Sequence, residues 1–313
     1  MVSELPMVNV LVFSYNQEDL IEQSVMSCIN QSYQNLMVVV TDDGSADSTP
    51  SILLGLQDKF PDRLKVILNE TNQGITKNCN VGLSHCEHEL IAFAAGDDVL
   101  YEDKIAKQVE AFLDRPGLVF CYHPVHIVMD NKIVAVSGNK RKDQVSNFYE
   151  MIAKYGAAIS GSVVMVRRSA IPQGGFNENI PVASDWLFFI EVSSKGEVLR
   201  IDDVLSKYRK HEGNIGHKIF EYADDFLLTM DYVEAKYSYD RLVPDACAAG
   251  RSRFLLGIIY NSLISGNKIG FAKYSGIYRE GGGRFAGFIC LLHKVPGIHV
   301  VLKNFRSVIK SIV

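Results

Sequence analysis

The chain has 313 residues, 47% hydrophobic and 22% charged, with a formal net charge of −4. That length can bury a sizeable core as two domains or as one with an appendage, and the composition excludes a disordered chain. The acidic balance argues against a general nucleic-acid binder.

The first hundred residues alternate apolar strands with amphipathic helices, the pattern of βαβ units around a parallel sheet. Strands are expected at 8–13, 36–41, 64–68 and 91–95. Helices are expected at 20–29, behind Asp47 or Ser48, and at 75–84 after the turn Asn72-Gln73-Gly74. A helix at 102–113, a strand at 118–122 and a hairpin of 125–129 with 133–136 around Asp130-Asn131 follow. Residues 138–146 are polar and basic and predict a mobile loop. Strand 163–167 and helix 185–193 complete this part, and from Ile219 onward the text is largely helical.

Charge is divided unevenly. From Arg251 to the end there are ten Lys or Arg against the single acid Glu280, a net +9 that leaves −13 for residues 1–250. An acidic front and a basic, apolar back predict two tasks in one chain. Cys28, Cys79, Cys86, Cys121, Cys247 and Cys290 show no CxxC pair, and no secretory signal opens the chain. Reduced thiols in a cytoplasmic protein are therefore expected.

Two carboxylate pairs stand out. Asp42-Asp43-Gly44-Ser45 follows one apolar strand and Gly96-Asp97-Asp98 another. Ligands of open parallel sheets bind outside the carboxyl ends of the strands, so both pairs are expected at one crevice. Such a crevice suits a divalent cation carrying a phosphorylated ligand, because hard cations take oxygen donors. Each pair also reads as a turn or a helix cap. Ser14-Tyr15-Asn16 can hydrogen-bond a base or ribose, or cap a helix. Asn72, Gly74 and Lys77 suit a phosphate at a helix start, with a solvated lysine as the alternative. Asp185 beside Trp186, the only tryptophan, fits a general base next to a sugar-stacking ring, or a capped helix with a core aromatic. Arg209 and His211, in Tyr208-Arg209-Lys210-His211, fit phosphate and metal binding.

Taken together and in this order, residues 7–216 resemble the family 2 inverting glycosyltransferases of the GT-A fold, of the bacterial polysaccharide, O-antigen or capsule type. The resemblance implies an α/β fold, a Rossmann-like, mostly parallel sheet flanked by helices, with a helical C-terminal extension. It implies a catalytic domain at 1–216, with a nucleotide half to about 100 and an acceptor half from 101, and a helical region at 217–313. By it, Ser14, Tyr15, Asn16, Asp42, Asp43, Asn72, Gly74, Lys77 and Asp97 bind a nucleotide-sugar donor, typically a UDP-sugar. Asp98 and His211 hold Mn2+ or Mg2+, Asp185 is the catalytic base, and Trp186 and Arg209 meet the acceptor or the diphosphate. Ala95, Ser184 and Cys79 depart from the family's pattern, which leaves a catalytically inactive nucleotide-sugar-binding subunit as the alternative. The absence of Gln-x-x-Arg-Trp speaks against a processive synthase.

The expected acceptor is a saccharide or a lipid-linked one. The segments 285–292 and 299–313, apolar with Arg284, His293 and Lys294 beside the first, read as an interfacial membrane contact on the cytoplasmic face, or as a helical subdomain packed on the core or in a homo-oligomer.

Overall fold

The computed structural model describes residues 5–137, 145–155, 159–211 and 219–283. They fall into two compact units, residues 1–151 with 158–217 and residues 152–157 with 218–313.

The first unit opens with β1 (Val8–Ser14), α1 (Ile21–Ile29), β2 (Leu36–Asp42), α2 (Thr49–Lys59), β3 (Leu64–Leu68), α3 (Ile75–Ser84) and β4 (Leu90–Ala95). Their bounds fall close to those expected. β1, β2 and β4 are buried along almost their whole length. Strands covered by helices on both faces read as continuous apolar runs rather than alternating ones, which is why the sequence exposes them so clearly.

The chain continues through β5 (Val99–Leu100), α4 (Lys104–Asp114), β6 (Leu118–Tyr122), β7 (Val125–Met129), β8 (Lys132–Val136), β9 (Val145–Ser146), α5 (Phe148–Glu150), β10 (Met165–Arg167), α6 (Ser184–Ser193), β11 (Glu197–Arg200) and β12 (Ser206–Arg209). Eight strands form one sheet in the order β3-β2-β1-β4-β10-β6-β11-β9. The first four are mutually parallel, and β10 enters antiparallel between β4 and β6. The chain steps outward from β1 to β3 and then returns to the other side of β1 as β4. That reversal opens a crevice at the carboxyl ends of β1 and β4.

A smaller sheet has the order β5-β12-β7-β8. Its hairpin β7–β8 turns at Asp130 and Asn131, both with positive φ (48° and 60°), as a tight hairpin requires. β8 is an outer strand of this sheet, and all five of its residues are exposed. Residues 138–144 of the expected loop lie outside the described residues, while 145–146 form β9.

The second unit contains α7 (Ala223–Lys236), α8 (Val243–Ser265) and α9 (Lys268–Glu280). α8 packs against both of its neighbours. Phe226 and Phe254 meet with ring centroids 4.6 Å apart. Arg251 pairs with Asp231 and Glu234 at 2.7 and 3.0 Å. Asn267 caps α9 through its Oδ1, which accepts from the Gly270 N–H at 2.9 Å. Among the described residues no helix is long and apolar enough to cross a membrane. The apolar segments 285–292 and 299–313 lie outside the described residues.

Candidate active site

Strand register assembles the site. Ser14 lies opposite Asp42, and Phe13 lies between Thr41 on one side and Ala95 on the other. The two acidic turns therefore emerge on either side of the end of β1. The Gly96 N–H donates to Phe13 O at 2.8 Å and the Asp43 N–H to Ser14 O at 2.9 Å, which binds both turns to that strand end.

On the β2 side, Asp42 and Asp43 are almost completely buried. Asp42 accepts from the hydroxyls of Ser14 (2.9 Å) and Ser45 (2.6 Å) and from the Ser45 N–H (2.9 Å). Asp43 accepts from the N–H groups of Gln73 and Gly74, both at 2.9 Å, and from Asn69 Nδ2 at 3.2 Å. A buried carboxylate needs such donors in place of water. Asp43 thereby holds the approach to α3. Gly44, at φ +68°, lies so close to that approach that a Cβ would come within 2.6 Å of Thr71 backbone carbon.

Asn16 stands at positive φ (49°). Its N–H donates to Ser45 Oγ at 2.7 Å and its Oδ1 accepts from the Ala46 N–H at 2.9 Å. Asn16 therefore ties two loops together; α1 begins later, at Ile21. The cap at α2 belongs to Asp47, whose Oδ1 accepts from the Thr49 N–H at 3.0 Å. Tyr15, Asn72 and Lys77 are exposed at the rim. Asn72 Oδ1 accepts from the Gly74 N–H at 3.0 Å.

On the β4 side, Asp97 and Asp98 are buried side by side. The residue preceding α4 is Asp103, so the acidic pair is not the cap of that helix. His211 Nε2 lies 2.9 Å from Asp97 Oδ2. Asp98 Oδ1 accepts from the Arg209 N–H at 3.1 Å, and the Ser162 hydroxyl also reaches this carboxylate. Arg209 Nη1 donates to Asp97 O at 3.1 Å, and Nη2 reaches Gln23 Oε1. The guanidinium thus braces the acidic turn. Burial, with the Asp97 charge beside it, pushes Asp98 up to about 7, against the opposing pull of Ser162 and Arg209.

Among the described residues no group of three or more His, Cys, Asp or Glu side chains is arranged to hold a metal ion. What the turn offers is two adjacent carboxylates and an imidazole. Oxygen donors with one nitrogen suit Mg2+ or Mn2+. Burial and the Asp97 charge together disfavour an ionised Asp98, and a bound cation would offset both. By donor type, though not by their present arrangement, these residues fit such an ion.

Asp185 lies in the first turn of α6, and its Oδ1 accepts from the Trp186 N–H at 2.8 Å. Desolvation raises its carboxyl to about 6, with the N–H groups of Trp186 and of Asp185 itself opposing the shift. A carboxylate poised near neutrality is what a general base requires. The thiol of Cys79, buried on α3, is raised well above its ordinary value by burial, then by the charges of Asp185 and Asp43. The second turn of α3 therefore lies within electrostatic reach of both the candidate base and the β2 turn.

Trp186 requires a correction. Its side chain is only 3% exposed and its indole Nε1–H donates to Met151 O at 3.3 Å. The ring is enclosed in the core and offers no platform to a sugar. Four residues that the sequence reading passed over have clear places here. Ser162 and Gln23 serve the acidic turn, and Thr76 and Asn80 connect α3 to the segment before α6. Thr76 and Asn80 occur one helical turn apart at the start of α3, and that spacing was the available signal.

The profile described as glycosyl transferase family 2 matches residues 9–174. An uncharacterized glycosyltransferase of Haemophilus influenzae is 27% identical over 226 residues, 69% of each chain. The Escherichia coli protein WfaP, a UDP-Glc:alpha-D-GlcNAc-diphosphoundecaprenol beta-1,3-glucosyltransferase, is 26% identical over 220 residues, 69% of this chain and 82% of its own. Other curated relatives are matched over 43% or 61% of their length. Among solved structures, S. aureus TarS 1-349 with UDP-GlcNAc has a TM-score of 0.65 at 19% identity, covering 97% of this chain and 91% of that one. The mannosyltransferase PcManGT of Pyrobaculum calidifontis, with GDP-Man and Mn2+, has a TM-score of 0.62 at 18% identity, covering 97% and 84%. With its βαβ half, its paired acidic turns and a profile match over more than half its length, this chain belongs to glycosyl transferase family 2.

Proposed function

We propose that this glycosyltransferase moves a sugar, with inversion, from a UDP-sugar to a hydroxyl of a saccharide or lipid-linked acceptor in the synthesis of a cell-surface polysaccharide, and that it uses Mn2+ or Mg2+. The observation that carries this reading is the placement of two buried acidic turns around the end of β1, together with a separate carboxylate, Asp185, raised to about 6. The names of WfaP and TarS support the donor and acceptor classes.

In this reading the β2 turn, with Ser14, Asn16, Asp42, Asp43, Asn72 and Gly74, receives the uridine, and Lys77 lies beside the entry. Much of this lining is already bound to itself, which leaves the exposed approach at 70–73 as the part that a bound uridine would order further. Asp97, Asp98 and His211 would hold the cation, which when bound supplies positive charge to the leaving diphosphate. Arg209 keeps that turn in place. Asp185 removes the proton from the acceptor hydroxyl as its oxygen attacks the anomeric carbon. The bond from that carbon to the diphosphate breaks on the opposite face, its electron pair leaves with the diphosphate, and the configuration inverts.

The family membership and named relatives favour this reading over an inactive subunit. Thermal unfolding with UDP, with and without Mn2+, is the direct test of the donor half, because binding to the native state raises its stability. A Tm increase that requires Mn2+ is expected. Asp185→Asn should keep that increase while lowering turnover by about 10²–10⁴-fold, the usual contribution of a general base. Turnover undiminished in Asp185→Asn would remove Asp185 from the mechanism.

A further inference from the structure

α3 reaches from the β2 turn to the segment that carries the candidate base. At its start, the N–H groups of Gln73 and Gly74 donate to Asp43. Two residues later, the buried hydroxyl of Thr76 lies 2.9 Å from both Ile180 O and Pro181 O, and 2.8 Å from Ser184 Oγ. One turn further, Asn80 brackets Phe176. Its Nδ2 donates to Phe176 O at 2.9 Å and its Oδ1 accepts from the Phe176 N–H at 2.8 Å. Nδ2 also reaches Glu178 Oε1 at 3.1 Å. Gly175, at φ +72°, permits this approach, since a Cβ there would come within 2.5 Å of Asn80 Oδ1.

These contacts matter because of how α6 begins. Its N-cap position is Ala183, which has no side chain able to cap. The residues that set where the helix starts, and with it the direction of Asp185, are secured from outside the helix. Ser184, immediately before Asp185, meets the Thr76 hydroxyl. A hydroxyl has one proton to donate and lone pairs to accept with, so Thr76 can serve a carbonyl and Ser184 together. Valine has nearly the same shape and can do neither.

We infer that Thr76 is a positioning residue for Asp185, and that α3 couples occupancy of the donor turn at Asp43 to placement of the base. The inference rests on the donor and base assignments proposed above. Asp43 and Asp185 would then be two ends of one connection, made of the Gly74–Asp43 and Thr76–Ser184 hydrogen bonds and the short backbone stretches that join them, all within the first unit. A donor that orders residues 69–74 would also order 176–186.

Hydrogen exchange of the full chain with and without UDP and Mn2+ tests this. In the wild type, UDP should slow exchange in peptides covering 69–78 and also in those covering 176–186. Thr76→Val should retain the first effect and lose the second, and Thr76→Ser, which keeps the hydroxyl, should restore it. Ser184→Ala, altered at the other end of one of these bonds while Thr76 keeps Ile180 O and Pro181 O, should lose part of the second effect and serves if Thr76→Val fails to fold. Turnover, followed as UDP release, should fall about 10- to 100-fold in Thr76→Val with the KM for the UDP-sugar unchanged, the effect of a misplaced catalytic group. Protection confined to 69–78 in the wild type, or full coupling persisting in both Thr76→Val and Ser184→Ala, would overturn the inference. No UDP protection at 69–78 would instead overturn the donor assignment, and this inference with it.

Discussion

Asp185, the proposed base, shows how a carboxyl that costs stability can be suited to chemistry. Its carboxyl is raised from 3.8 to about 6 chiefly by desolvation. In the unfolded chain it titrates near 4. The folded state therefore favours the protonated form. Its stability contribution is full below about pH 4 and is lost as pH rises through about 6. Asp185→Asn should accordingly raise the Tm at pH 8 by several degrees, on the order of 2 kcal/mol, with the gap closing towards pH 4. The proposed mechanism needs the opposite form. Turnover should lose its base as pH falls through about 6, and kcat against pH should show one acid limb there. A flat kcat down to pH 5 would separate Asp185 from the rate-limiting step. The place of Asp185 at the start of a helix was legible, because an acid in a first turn is a recognisable pattern. The burial of its neighbour was not legible, because Trp suits a core and an exposed sugar platform equally well by type, and only the packing around Met151 O distinguishes them.

Elements were legible where burial wrote itself into consecutive residues. β1, β2 and β4 are covered on both faces, so their apolar runs stand out, and Asp130-Asn131 marks the β7–β8 turn by its backbone demands. The insertion of β10 between β4 and β6 left no local trace, since strand order is fixed by long-range packing. Lys104 is similar. Its position on α4 gives no warning that the side chain is fully buried, bonded to Gln108 at 2.7 Å and lowered by burial to about 8. The Asp-Asp-Gly-Ser turn was visible as acid and glycine, but not the reason for the glycine. Gly44 combines a left-handed φ of +68° with backbone contact to residues 71 and 72. Gly44→Ala must strain its own φ and push the approach to α3 away from Asp43. A loss of about 2–4 kcal/mol is expected from those two effects together. Urea unfolding measures it, and UDP binding should weaken in the same variant. A near-neutral result would mean that the 69–74 loop yields easily.

At the scale of the molecule, charge separation and an outer strand act together. The chain has only −4 net charge over 313 residues, divided into an acidic front and a basic end. So small a net charge gives weak repulsion between molecules, and opposite ends can attract. Among the described residues the smaller sheet has an open backbone edge at β8, where Ile133, Val134 and Val136 are 55%, 54% and 52% exposed. An apolar edge strand is a template on which another strand can pair. Concentrated solutions of this protein should therefore cloud or form fibrils through β8 well before the fold itself melts. Val134→Lys places a charge in that strand at an exposed position, as natural gatekeepers do. It should raise the concentration at which light scattering begins while leaving the Tm unchanged, an outcome that would assign the colloidal behaviour of the chain to five exposed residues outside its core.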